Sequence, residues 1–404
     1  MNRIERLIEE MCPDGVPFHS LAELTSRPAT VKWSSNEEVM QYIDLGSVDR
    51  RTHTIISTEP ITMKTAPSRA KQVVNADDVI FGTTRPTLLR FAIIPEMPEP
   101  TVASTGFCVL KLATTEILPR FLFHLLGTPQ FAEHVSTFES GASYPSITDS
   151  NLKKFRCPVP PIEVQREIVA ILDKFSRLEA ELEAELEART HQFLANLDLC
   201  FDSIDSSFLR PLPSFATIRR GNAMPRKDLS DTGIPAIHYG DIYTRYPTSI
   251  DTALAFIDER LSRKLLHISP TDVIVASTSE NVEDLGTACV WNGGRTAVIG
   301  GHATALSTNQ DSLYLAYWFK SSQFQKQKAR LAKGTKVIDL GLSQFRSLIL
   351  PLPPLSEQNR ISRLLHSMDV LISDHLDGLP AEIAARRQQY EYYRDRLLTF
   401  KELQ

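Results

Sequence analysis

Cations, hydroxyls and a few aromatic side chains gather at short spacing in two stretches of the chain. The first holds Lys32-Trp33, Arg50-Arg51, Lys64, Arg69 with Lys71, and Thr83-Thr84-Arg85. The second holds Arg219-Arg220, Arg226-Lys227, Arg245, Arg263-Lys264 and the run from Lys326 through Lys333 to Lys336. Such groups neutralise phosphates, and arginine bonds guanine bidentately in the major groove. Ser143-Tyr144 and Thr335-Lys336 each follow a glycine, Gly141 or Gly334. A glycine loop lets backbone and small hydroxyls approach a phosphate closely. The chemistry on offer is non-covalent recognition of nucleic acid. For any one cation, a solvated surface charge is the simpler reading; only the grouping points further.

Catalytic patterns are missing by comparison. No Gly-x-Gly-x-x-Gly follows a strand and no Gly-x-x-x-x-Gly-Lys-Ser/Thr is present. Gly300-Gly301-His302 and Asn292-Gly293-Gly294-Arg295 read as tight turns. The Pro-Pro dipeptides lack the neighbours of an amino-methyltransferase tetrapeptide, and the acidic residues form no spaced acid-acid-lysine set of a nuclease. The ten histidines carry no metal-ligand spacing. His302 and Cys289 are a formal nucleophile pair that nothing in the sequence positions, and no serine sits in a nucleophile elbow. The expectation is a chain with no catalytic site, metal or cofactor of its own.

The elements that must position these groups come in duplicate. Pro160-Pro161-Ile162-Glu163-Val164-Gln165 reappears as Pro353-Pro354-Leu355-Ser356-Glu357-Gln358, an offset of 193. Near that offset lie Gly141 with Gly334, Asp78-Val79-Ile80-Phe81 with Asp272-Val273-Ile274-Val275, and Ile43-Asp44-Leu45-Gly46 with Ile237-His238-Tyr239-Gly240. A shared offset along most of the chain marks an internal repeat. Each copy opens with short β-rich runs and turn residues, and carries one helical stretch, Leu118 to Phe131 or Leu313 to Ala332. Each then ends in a long helix with apolar residues every three or four positions, such as Ile168, Leu172 and Phe175, or Ile361, Leu365 and Met368. The Pro-Pro pairs leave the chain extended before each helix, Ser356 is a candidate cap, and Asp377-Gly378-Leu379-Pro380 should kink or restart the second helix. A helix of 35–40 residues is ~50–60 Å long, too long for one small domain to cover. The two stripes therefore pack on each other antiparallel, with residues 1–10 as a short helix docked on them.

Charge and composition fit this division. Residues 201–350 hold 17 Lys+Arg against 14 Asp+Glu, and residues 156–200 hold 5 against 9, so the first long helix is acidic. The whole chain, 404 residues at net −5, is not a uniformly basic coat. No apolar run reaches the ~18–20 residues of a membrane span. Five cysteines without a Cys-x-x-Cys pair argue against disulfides or a zinc knuckle and fit a cytoplasmic protein.

Taken together, these features resemble the specificity subunit of type I restriction-modification systems. The resemblance is carried by Leu379-Pro380-Ala381-Glu382-Ile383-Ala384-Ala385-Arg386-Arg387-Gln388-Gln389-Tyr390, by Pro353-Pro354 through Ile361, and by Met11-Cys12-Pro13-Asp14-Gly15-Val16. It implies an α+β fold with two similar globular target-recognition domains separated by two long antiparallel helices in a coiled-coil-like rod. A pseudo-two-fold repeat relates the halves. The implied layout is a short helix at 1–12, recognition domains at 13–158 and 201–351, and spacer helices at 159–200 and 352–404. Each domain would read half of a bipartite double-stranded DNA site. The helices would bind two methyltransferase (modification) subunits, with Gln165, Arg189, Gln192, Gln358, Arg386, Gln389 and Tyr393 as candidate contacts. Restriction subunits would complete the complex. S-adenosylmethionine and ATP would belong to those partners. The alternatives left open are an unrecognised DNA methyltransferase or nuclease, and a coiled-coil interaction protein without a DNA role.

Overall fold

The structure is a computed structural model that describes residues 3–35, 38–334, 337–373 and 378–403. The chain divides into two compact units, Met1–Ala180 with Ala385–Gln404, and Glu181–Ala384. The division cuts the long helices and does not fall at their ends.

In the first unit, Val79–Gly82 is buried along its whole length, as its unbroken Val-Ile-Phe run dictates. It lies between Phe107–Leu112 and Phe91–Ile93 in a four-stranded antiparallel sheet closed by Thr25–Ser26. A second four-stranded sheet pairs Met40–Ile43 parallel to Thr101–Ser104, flanked by Glu59–Ile61 and Ala70–Val74. The second unit repeats the plan with five strands per sheet. Val273–Ala276 sits between Ala288–Trp291 and Ala303–Thr308, and Ile234–Ile237 runs parallel to Ala297–Ile299. Even local strain is copied: Asp77 at φ +68° and Thr271 at φ +73° precede Asp78 and Asp272. Those two buried carboxylates accept the amides of Asn75 and Ser269, each at 2.9 Å.

The helical stretch of each copy is two helices, where the sequence predicts one. Pro119–Leu125 and Pro129–Phe138 match Ser312–Trp318 and Ser322–Leu331. Thr128 precedes a proline, which disfavours helical backbone, and its hydroxyl caps Phe131 N. Ser321 does the same at Phe324 N without a proline.

The Ile162–Asp202 helix runs 41 residues. The carboxy-terminal helix is not continuous: Leu355–Ser373 stops and Leu379–Leu397 begins after Gly378. Asp377, part of the expected break, lies outside the described residues. Ser356 is already inside the helix that begins at Leu355, so it is not the cap.

Within the first unit the long helices pack antiparallel. Phe175 stacks on Tyr393 with centroids 5.3 Å apart, and Glu179 meets Arg387 at 2.6 Å. Arg3–Met11 joins this pair, burying Ile4 in the same core as Ile168 and Leu172. Within the second unit Asn196 reaches Met368 and Cys200 faces Glu357 and Arg360, again antiparallel. Among the described residues, no helix is long and apolar enough to cross a membrane.

Candidate nucleic-acid interface

In each unit the end of a buried strand meets a glycine-turned hairpin, and the two are paired in the same register. In the first, Thr83 N donates to Gly106 O at 2.8 Å, Thr84 bridges Ser146, and Ser140 pairs with Ser146. In the second, Ser277 N donates to His302 O at 2.8 Å, Thr278 pairs with Asp339, and Lys333 pairs with Asp339. Both hairpins turn through a left-handed glycine, Gly141 at φ +101° and Gly334 at φ +116°. A Cβ at Gly334 would lie 2.0 Å from the Val337 carbonyl oxygen, so no other residue fits without a shift.

Around the first frame, backbone pairing gathers residues that are distant in sequence. Arg85 takes a left-handed backbone at φ +49°, donates its amide to Pro145 O at 2.7 Å, and lies 5.8 Å from the Tyr144 ring. Tyr144 is 76% exposed, which leaves a guanidinium and an aromatic face open to a ligand. Arg69 O accepts from Thr105 N, one residue before Gly106. Lys71 O accepts from Val31 N, which places Lys32 beside that strand, while Trp33 Nε1 donates to Ala70 O at 2.6 Å. Lys32, Lys64, Arg69, Arg85, Ser143 and Tyr144 are all exposed. Lys64 stands in the Thr62–Thr65 turn next to Ala66, which packs in the Trp33 cluster.

Arg50 and Arg51 stand on a separate turn. Their turn is held by Asp49, whose carboxylate accepts the amides of Arg51 and Thr52, and Arg50 faces Arg90. The next residue but one, His53, stacks on Phe91 with centroids 3.8 Å apart. Burial, aided by the Arg394 charge, pushes its imidazole down to about 4.

The second frame carries different side chains. His302 Nδ1 bonds Thr278 Oγ1 at 2.7 Å and its ring lies 4.8 Å from Tyr239, which neighbours His238 and Tyr243. Arg226 and Arg245 flank the buried Asp241 at 3.8 and 3.7 Å. Burial, with the Arg226 and His302 charges, lowers the His238 imidazole against the opposing pull of Asp241. Asn222 Nδ2 donates to Lys264 O at 2.7 Å, which brings Lys264 to the Gly300–Gly301 turn. Lys227 and Lys333 are exposed, and Arg263 pairs with Glu259 at 3.3 Å. Thr335 and Lys336 lie outside the described residues. The aromatic and imidazole groups of this edge were missed by a search for cations. The signal available was the pairing of Ile43-Asp44-Leu45-Gly46 with Ile237-His238-Tyr239-Gly240.

Two expected cations are tied into the domain by ion pairs, and two expected helix contacts are buried. Arg219 bonds Asp272 at 3.1 Å and Ser307 at 2.9 Å, and Arg220 bonds Asp339 at 2.5 Å and Gly301 O at 2.9 Å. Their guanidiniums hold the domain together. Gln165 and Gln358 are wholly buried, so neither is a surface contact. Gln165 Nε2 donates to Pro160 O and Glu116 O and its Oε1 accepts from Leu118 N; Gln358 repeats this with Pro353 O, Gln310 Oε1 and Asp311 N. Each glutamine clasps its domain to its helix entry. The remaining helix candidates face outward or half-outward. Arg189 bonds Glu185 and Gln192, and Arg386 bonds Gln389 at 3.1 Å, the same pairing in the two copies. Tyr393 and Arg386 line a mostly apolar groove of about 560 Å³ with Ile8, Ile171, Phe175 and Leu178. As for a nucleophile at Cys289, burial pushes its thiol up to about 12, and His302 is committed to Thr278.

Two copies of one domain, each with a hairpin-framed polar edge and a long helix, define a duplicated recognition protein. Residues 23–188 and 212–385 match the model of the "Type I restriction modification DNA specificity domain", and the chain belongs to that family. The chain is 28% identical over 274 residues to the Type I restriction enzyme EcoR124I/EcoR124II specificity subunit of Escherichia coli, covering 63% of this chain and 65% of that one. It thus spans just under two thirds of that relative's length in the match. Its fold is similar to a chain solved in work on complex assembly and conformational transition of the type I R-M system. There the TM-score is 0.64 at 23% identity, over 96% of this chain and 98% of that one. It is also similar to the type I restriction-modification S subunit from M. genitalium. That match has a TM-score of 0.55 at 13% identity, over 95% and 96% of the two chains.

Proposed function

We propose that this chain is the DNA-specificity subunit of a type I restriction-modification complex, a non-catalytic reader of a bipartite double-stranded target. Residues 13–158 and 201–351 act as the recognition domains and residues 159–200 and 352–404 as the helical spacers. One half-site is read at the edge carrying Lys32, Lys64, Arg69, Arg85, Ser143 and Tyr144. The other is read at the edge carrying Arg226, Lys227, Lys264 and Lys333, with Thr335 and Lys336, which follow Gly334 in the sequence, as further contacts. The observation that carries the reading is the shared frame. Two domains hold the same strand end and glycine hairpin in register, yet present different side chains, as two different half-sites require.

The helices dock two methyltransferase subunits, with Arg189, Gln192, Arg386, Gln389 and Tyr393 as their contacts, and restriction subunits join through these. S-adenosylmethionine and ATP are used by the partners. A binding isotherm of the full chain on duplex DNA across salt concentrations tests the first step. Phosphate contacts require log affinity to fall linearly with log salt. A flat response rejects DNA binding, and methyl transfer by the chain alone from labelled S-adenosylmethionine rejects the non-catalytic role.

A further inference from the structure

The loop that follows Thr278-Ser279 contains no cation: it reads Glu280-Asn281-Val282-Glu283-Asp284-Leu285. Its tip, Glu280 through Glu283, is exposed, and Val282 is 40% exposed. Tyr243 faces Glu280 and Asp284, so the loop belongs to the same edge as His302 and Tyr239. A phosphate-binding loop would be built otherwise. Carboxylates repel the backbone, but they accept from cytosine N4, and an apolar methyl meets thymine. The Asn281 amide shapes the loop itself, donating to the Asp284 carboxylate and accepting from Asp284 N, each at 2.8 Å.

This loop is held unusually firmly. Lys328 is buried, and its ammonium donates to Val282 O at 2.6 Å, Leu285 O at 3.0 Å and Glu283 O at 3.3 Å. Burying an ammonium is costly without such partners, so all three carbonyls are drawn onto one point. Gly286, at φ +83°, completes the clamp, since a Cβ there would lie 2.5 Å from the Phe324 ring. The position matching Lys328 in the first copy is Val135, buried and apolar. There the loop after Thr84 is a short 3-10 turn, Pro86–Leu88, packed on the Pro129–Phe138 helix.

Resting on the specificity-subunit reading, we infer that residues 280–283 are the base-reading tip of the second domain and that buried Lys328 is the positioning residue that fixes it. Rigid placement matters because base identity is set by atoms held within about 0.5 Å.

Selection of the full chain against a randomised duplex library tests this. Wild type should return a two-part consensus. Lys328→Met should lower preference by about tenfold at one or more positions of one half, the size of one base contact. The other half and the affinity for unselected duplex should be unchanged, and Lys328→Arg should restore part of the preference. Because Lys328→Met risks the fold, Glu280→Gln with Val282→Ala, both exposed, provides the second arm and should alter the same half only. Unaltered selection by the double variant, or equal loss in both halves, overturns the inference. If wild type selects no sequence at all, the specificity reading itself fails and takes the inference with it.

Discussion

The proposed reading edges of the two units share a backbone pattern and almost no side chains. Gly141 and Gly334 turn the same hairpin, and Thr84 and Thr278 meet it at the same register. Yet the positions of Arg85 and Tyr144 in one copy are held by Ser279 and Val337 in the other, and Gly106 is replaced by His302. The clasps that join domain to helix show the opposite pattern, with Gln165 and Gln358 making matching bonds. The side chains that clasp domain to helix are therefore repeated, and those at the open edge diverge. A protein selected to hold two independent readers on one scaffold has this division of labour.

If the clasps are equivalent parts, their loss should cost alike. Gln165→Ala and Gln358→Ala each strip buried backbone groups of partners and should destabilise their own unit by about 2–4 kcal/mol, measured by denaturant unfolding. A large loss for one and none for the other would break the equivalence.

His53 offers a smaller test of where the units differ. Its folded pKa is depressed to about 4 against 6.5, so below 6.5 the unfolded state takes up a proton that the folded first unit resists. Stability should fall as pH drops from 6.5 towards 4, by on the order of 2–3 kcal/mol. His53→Phe, which keeps a ring against Phe91, should flatten this part of the melting profile. An unchanged profile would remove His53 from the explanation.

The edge residues should have the smallest effect. Arg85→Ala should weaken duplex binding about tenfold and lower the salt slope by about one. Tyr144→Ala should weaken it less and leave the slope alone, since an aromatic face releases no counterions. Equal slopes for both variants would discard the assignment of Arg85 to phosphate.

Much of this was legible in the sequence, for a physical reason. A repeat and a helix leave periodic marks, so the 193-residue offset, the long apolar stripes and the restart near Leu379 could all be read directly. What could not be read depends on partners far along the chain. The ion pairs of Arg219 with Asp272 and Arg220 with Asp339 join residues 53 and 119 positions apart and leave no local mark. Gln165 looked like a surface contact because the side chain it shares with Gln358 is polar, although both close on carbonyls inside. The divided helices at Thr128 and Ser321 were hidden because apolar spacing persists across a cap. The second proposed edge was obscured since it presents imidazole and phenol groups beside its cations.

The most direct test is a genome-wide map of methylated adenines in cells whose copy of this chain has residues 13–158 replaced by the matching segment of another specificity subunit. The expected map shows a two-part motif in which one half changes while the other half and the gap between them stay as before. A motif that changes in both halves, or one without a gap, would contradict two independent readers on a common frame.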